Sequence, residues 1–135
     1  MEIKVPSIAD QQRFIFENGI KEGIERLSGN LQAPTIGVAV GVDESSYSRN
    51  HLLTKREGYQ SPHVDIVKSY FSQFQAAFPE YSSDPALAAF LGLKDGRRIR
   101  EFKEGKPIPY DIWRFFLVST GRAPQEIIKV LGVML

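Results

Sequence analysis

Six cations fall within thirteen residues in KDGRRIREFKEGK, residues 94 to 106: Lys94, Arg97, Arg98, Arg100, Lys103 and Lys106, against Asp95, Glu101 and Glu104. A guanidinium group carries paired, coplanar donors that match a phosphate or the major-groove edge of guanine, and an ammonium group holds phosphate as a point charge. On a helix that turns Ile99 and Phe102 inward, Arg97 and Arg100 point outward with Glu101 and Glu104, while Arg98 and Lys103 lie toward the flanks. Lys94 precedes that helix and extends the basic stretch. The plainer reading is a mixed-charge face that solubilises a helix and pairs with its own glutamates. The whole-chain charge of +1 hides this focus: the charge is −1 over residues 1 to 30, 0 over 31 to 60, −2 over 61 to 93 and +4 over 94 to 135.

A second group of polar side chains lies in TIGVAVGVDESSYSRN, residues 35 to 50, where Ser45, Ser46, Ser48 and Arg49 follow a glycine-bearing apolar run. Short hydroxyls and one arginine suit contacts to phosphates and base edges. The run GVAVG lacks the Gly-Lys-Ser/Thr that phosphate and magnesium chemistry needs, so it is not a nucleotide loop. Asp43 and Glu44 are adjacent and do not converge as a catalytic pair; acids at a helix start favour its dipole. His51 has no evident catalytic partner. With no cysteine and only His51 and His63 as imidazoles, the chain offers no zinc ligand set. The expectation is a protein that is not an enzyme and takes no cofactor.

The elements that must position these residues read as helices. Ser7 is an N-cap candidate for a helix to about Leu27, with Ile8, Ile15, Ile20, Ile24 and Leu27 on one face. After turn-rich KREGYQSP, residues 63 to 78 place Val64, Val67, Phe71, Phe74 and Phe78 three or four apart, the spacing of a core helix. Asp84-Pro85 starts a third helix, Asp95 to Glu104 a fourth that closes at Gly105, Tyr110 to Thr120 a fifth, and Pro124 begins a last short one, QEIIKVLGVML. Seven of those eleven terminal residues are apolar, enough to cap a core or form a dimer patch. A chain of 135 residues can bury one sizeable core. The absence of a long apolar run and of a signal-peptide pattern at the start predicts a cytoplasmic protein without membrane association.

Two stretches have the spacing of a helix-turn-helix, which needs a small residue where the helices cross, a glycine in the turn, and apolar residues holding the second helix. In the first, these are Gly37, Gly41, Val42 and Tyr47. The run Ala39, Val40, Gly41, Val42, Asp43, Ser45, Ser48 and Arg49 resembles the helix-turn-helix of the lambdoid phage cII activators, with Asn50 standing where that motif places an apolar residue. In the second, they are Ala88, Gly92, Leu93, Ile99 and Phe102. Residues 62 to 121 resemble the Cro and repressor family of phage and plasmid regulators, with IPYDIWRFFLVSTGR as the closing helix, Trp113 and Phe116 in its core, and one extra residue between Gly92 and Ile99.

The predicted architecture is therefore all-α, a compact helical domain with two helix-turn-helix units. Residues 1 to 60 form the first unit, 61 to 78 a shared helix, 79 to 121 the second unit, and 122 to 135 a C-terminal apolar helix. The resemblance implies a sequence-specific DNA-binding transcriptional regulator of phage or mobile-element type, activator or repressor. Its partner would be double-stranded DNA, contacted by Arg97, Arg98, Arg100, Lys103, Lys94, Ser45, Ser46, Ser48 and Arg49. A homodimer through the C-terminal segment would prefer an inverted repeat with half-sites about one helical turn apart. The competing reading is a helical protein-interaction module that uses the same fold without DNA.

Overall fold

The computed structural model of the chain describes residues 3–37 and 41–135. Those residues form five α-helices and no strand: α1 (Ile8–Asn30), α2 (Val64–Ala77), α3 (Asp84–Phe90), α4 (Arg97–Lys103) and α5 (Tyr110–Ser119). The protein is all-α. It divides into two bodies, residues 36–126 and residues 1–35 with 127–135.

In the larger body, local chemistry sets the helix starts. The His63 side chain accepts the Asp65 N–H (3.1 Å) and caps α2, and the Ser83 hydroxyl accepts the Ala86 N–H (3.2 Å) and caps α3, with Pro85 in its first turn. Pro62 lies just ahead of the cap of α2. The apolar stripe of α2 puts Ile66, Val67, Tyr70, Phe71 and Phe74 inward, where they meet Leu87 and Ala88 of α3, Ile99 and Phe102 of α4, and Trp113, Phe116 and Leu117 of α5. Burying each large side chain contributes roughly 1.5–3 kcal/mol, so this cluster is the main source of stability for helices as short as seven residues.

Two glycines shape the link between α3 and α4. Gly92 takes φ +74°, which lets the Leu93 N–H reach the Ala88 carbonyl at 2.8 Å and close the end of α3. Gly96, just before α4, has an ordinary φ but no room: a Cβ there would lie 2.9 Å from the Pro85 nitrogen and 3.0 Å from its Cδ. We expect Gly96→Ala to push the start of α4 away from α3 and cost about 1–3 kcal/mol. Thermal denaturation checks this; a melting temperature equal to that of the parent would show that the approach is slack.

The described residues of the stretch 34 to 52 do not form the predicted helix-turn-helix. Residues 33 to 37 are not helical, Ala39 and Val40 of the cII-like run lie outside the described residues, and Glu44–Ser46 and Asn50–Leu52 are single 3-10 turns. Two physical causes are visible. The run is rich in β-branched residues and glycine, which disfavour helix, and no residue of Glu44–Ser46 is buried, so no core contact holds a helix there. Tyr47 then leaves the turn with extended angles, φ −122° and ψ 156°.

Residues 41 to 61 instead wrap the helical core as a strap. Tyr47 donates to Asp65 (2.8 Å), Arg114 donates to the Leu52 carbonyl (3.2 Å), Tyr59 donates to the Ile108 carbonyl (2.7 Å), and the Ile108 N–H donates to the Ser61 hydroxyl (2.8 Å). The deepest tie is His51, 3% exposed, whose Nδ1 accepts the Trp113 indole N–H at 3.1 Å. That bond requires a neutral imidazole with its proton on Nε2.

Burial pushes the His51 pKa from its ordinary 6.5 down to about 4, outweighing the attraction of Glu44 for the charged form. The unfolded chain takes up this proton below pH 6.5 while the folded chain does not until about pH 4. The contribution is thus complete above pH 6.5 and is lost as pH falls toward 4, by about 3 kcal/mol. Urea midpoints at pH 7 and 4.5 should show the drop, and His51→Gln, which can still accept the indole N–H, should flatten it. An equal drop in that variant would assign the acid sensitivity elsewhere.

The other body contains α1, which Ser7 caps by accepting the Asp10 N–H at 3.1 Å. None of its residues is buried, and the predicted face of Ile8, Ile15, Ile20, Ile24 and Leu27 is exposed. The predicted C-terminal helix is absent: residues 125–135 have no helical turn. Ile127, Ile128, Leu131 and Met134 are 74–93% exposed, so the segment does not cap a core. Asp, Glu, Lys or Arg recurs along the described helices, none of which is long and apolar enough to cross a membrane.

Candidate nucleic-acid interface

The packing of α3, its turn and α4 decides which cations face outward. Ala88, Ile99 and Phe102 are completely buried, and Leu93 packs half-buried against the core. With Ile99 and Phe102 fixed inward, helical geometry turns Arg97, Arg100 and Glu104 out. All three are exposed, as is Lys94 in the turn. Arg97 keeps 77% of its side chain exposed while lying 3.3 Å from Glu101 one turn on, and Glu101 also accepts from Lys106 at 2.9 Å. The hydrogen bond from Lys106, then its charge and that of Arg97, overcome partial burial and hold the Glu101 carboxyl below its usual range.

Arg98 and Lys103 are placed differently. Arg98 is half-buried, with its guanidinium 5.3 Å from the centroid of the Phe102 ring. Its Nε is buried and makes no hydrogen bond among the described residues. The Lys103 ammonium lies 2.9 Å from the Asp84 carboxylate and 3.1 Å from the Gln75 amide oxygen, which pins α4 to α3 and α2. Burial alone would raise the Asp84 pKa; the hydrogen bonds from Lys103 and Gln75 outweigh it and keep the carboxyl below its usual value. Lys103 thus has a structural task on the inner flank, and the outward cations are Lys94, Arg97 and Arg100.

The second group of expected contacts sits on the strap. The Ser45 hydroxyl donates to Asp43 at 2.6 Å, the Ser46 hydroxyl donates to the same carboxylate at 3.3 Å, and the Ser48 hydroxyl accepts the Asn50 N–H at 3.2 Å. These three hydroxyls shape turns. Arg49 is exposed beside them. Among the described residues no hydrogen bond or ion pair joins this group to α4. The nine residues therefore fall into two sets, one on the α3–α4 unit and one on the strap.

One cluster was not visible in the sequence. Glu44 accepts from the Tyr70 hydroxyl and from Arg122 (3.0 Å), and the Arg122 guanidinium lies 4.5 Å from the centre of the Tyr70 ring. Burial works against ionisation of Glu44, but these partners hold its pKa below the usual range. Burial, followed by the hydrogen bond to Glu44, drives the Tyr70 phenol well above 10. Every group in the cluster has a partner, so it reads as a clasp for the strap. Glu44 and Arg122 are 78 residues apart, beyond the reach of any local pattern.

No protein-family model, curated protein or solved structure matches this chain.

Proposed function

We propose that this chain is a sequence-specific DNA-binding transcriptional regulator of the kind phages and mobile elements carry, and that α4 enters the major groove. The observation that carries the reading is the outward set Lys94, Arg97 and Arg100 on a short helix whose inward residues, Ile99 and Phe102, are fully buried. Arginine on such a helix is the side chain best suited to guanine, and the flanking cations suit phosphate. Arg98, half-buried with its guanidinium over the Phe102 ring, would meet the DNA backbone from the flank. The setting implied is the cytoplasm, where DNA is accessible.

Duplex-DNA binding measured by fluorescence anisotropy at several salt concentrations tests the reading. Three or four phosphate contacts give a log–log salt slope of about −3 to −4. Selection from random duplexes should then recover a preferred sequence. No binding at low salt would sink the proposal.

A second reading, a helical protein-interaction module that leaves DNA alone, is favoured by the pairing of Arg97 and Lys106 with Glu101, which neutralises part of the basic face. The open C-terminal apolar residues suit a dimer contact in either case.

A further inference from the structure

We infer that the strap, residues 41–61, is a latch that opens when His51 takes up a proton, leaving α2 to α5 folded beneath it. The way the strap is attached makes it separable. Among its described residues His51 alone is buried. The buried apolar cluster lies between Ile66 and Ala123 and holds no strap residue; Val42, Tyr47, Leu52 and Tyr59 pack half-buried against its outside. Among the described residues no backbone-to-backbone hydrogen bond joins the strap to a helix. Lifting the strap away therefore breaks side-chain ties but leaves the helical hydrogen bonds and most of the apolar burial in place. A segment held in that way opens before the body around it unfolds.

The deepest tie is the one a proton breaks. The Trp113 indole N–H can only donate, and Nδ1 of His51 accepts it at 3.1 Å. An imidazolium carries a proton on both nitrogens, so charging His51 sets two donors against each other.

The surroundings offer the charged ring little in exchange. Within the strap Glu44 attracts it and Arg49 repels it, and Arg122 beyond α5 repels it as well. Glu44 is already engaged by Arg122 and the Tyr70 hydroxyl. From α2 the Tyr70 ring faces the imidazole at 5.9 Å, as a phenol that burial keeps neutral, and Asp65 is taken up by the Tyr47 hydroxyl. From α5 come the Trp113 ring at 5.8 Å and Arg114, whose guanidinium is bound to the Leu52 and Pro124 carbonyls.

Opening is thus linked to pH. An open strap leaves His51 at its ordinary 6.5, while the closed strap holds it at about 4. The opening constant is flat above pH 6.5 and rises about tenfold per pH unit below it, until about pH 4. Between pH 7 and 5 the rise is about 20-fold. Glu44 stays ionised through that range, because its partners outweigh burial and hold its carboxyl below the usual value.

Hydrogen exchange followed by NMR on the full chain at pH 7, 6 and 5, corrected for the intrinsic rate at each pH, tests the latch. The probes are the amides of Leu52, Leu53 and Gln60, hydrogen-bonded inside the strap, against amides in the middle of α2 and α5. Strap protection should fall about 20-fold from pH 7 to 5 and lie below that of the helices throughout. His51→Gln, which still accepts the indole N–H and takes up no proton, should keep the strap protected at every pH. Strap amides as protected as those of α2 and α5 would overturn the inference, since the strap would then leave only with the whole body. So would strap protection that ignores pH in the parent, or an equal fall in His51→Gln. Should glutamine fail to hold the strap, the imidazole C–H resonances of the parent decide: titration of His51 near 4 supports the latch, and titration near 6.5 overturns it. None of these measurements involves DNA.

Discussion

Trp113→Ala is expected to cost the body of residues 36–126 about 3–5 kcal/mol, a large share of the roughly 5–15 kcal/mol that typically separates folded from unfolded domains. The indole is completely buried, with ring centres of Phe116, Tyr70, His51 and Phe71 at 5.3, 5.7, 5.8 and 5.9 Å. Removing it opens a cavity where α2, α5 and the strap meet. It also leaves the His51 Nδ1 buried without its donor, and an unsatisfied buried acceptor adds about 1–3 kcal/mol. Trp113→Phe separates the two parts, since it keeps most of the apolar volume but not the indole N–H. Its loss should be near the hydrogen-bond figure alone. Urea unfolding followed by far-ultraviolet circular dichroism measures both variants. If Trp113→Ala lost less than about 1 kcal/mol, the strap and helices would not share one cooperative core.

What the sequence disclosed follows from the range of the interactions involved. The helix at 64–77 was readable because Val67, Phe71 and Phe74 recur at helical spacing and are buried. The inward roles of Ala88, Ile99, Phe102, Trp113 and Phe116 were readable for the same reason. Glycine spacing was a poorer guide. Gly41 and Gly92 both take positive φ, 88° and 74°, yet only Gly92 is followed by an α-helix. The difference lies in the neighbours. Asp43 and Asp95 each accept the N–H two residues on, from Ser45 at 3.1 Å and Arg97 at 3.0 Å, but the residues after Asp95 bury Ile99 and Phe102 in the core, while the turn after Asp43 buries none of its residues. The task of Lys103 and the burial of His51 depend on partners 19 and 62 residues away, so they could not be read from periodicity. The same limit applies to the apolar residues of α1 and the C-terminus, where an apolar pattern indicates a surface that wants covering but not that this chain covers it.

The sharpest separation among the nine candidate residues is expected in DNA binding. Arg97→Ala and Arg100→Ala should each weaken binding to a selected site by about 1–3 kcal/mol, roughly 5- to 150-fold, while changing non-specific binding much less. Lys94→Ala should weaken both alike and make the salt slope shallower by about 0.9. The three differ because a bidentate arginine contact distinguishes bases, whereas a phosphate contact does not. Arg97 must leave Glu101 to reach DNA, so Glu101→Gln should strengthen binding modestly at low salt. Lys103→Ala should act mainly through stability, since the ammonium anchors α4 to Asp84 and Gln75. Arg49→Ala on the strap should leave affinity unchanged if only the α3–α4 unit touches DNA. A binding loss at Arg49 equal to that at Arg100 would return the strap to the interface. Uniform losses at Arg97, Arg100 and Lys94, with no change in sequence preference, would reduce α4 to a backbone contact and remove the case for base reading.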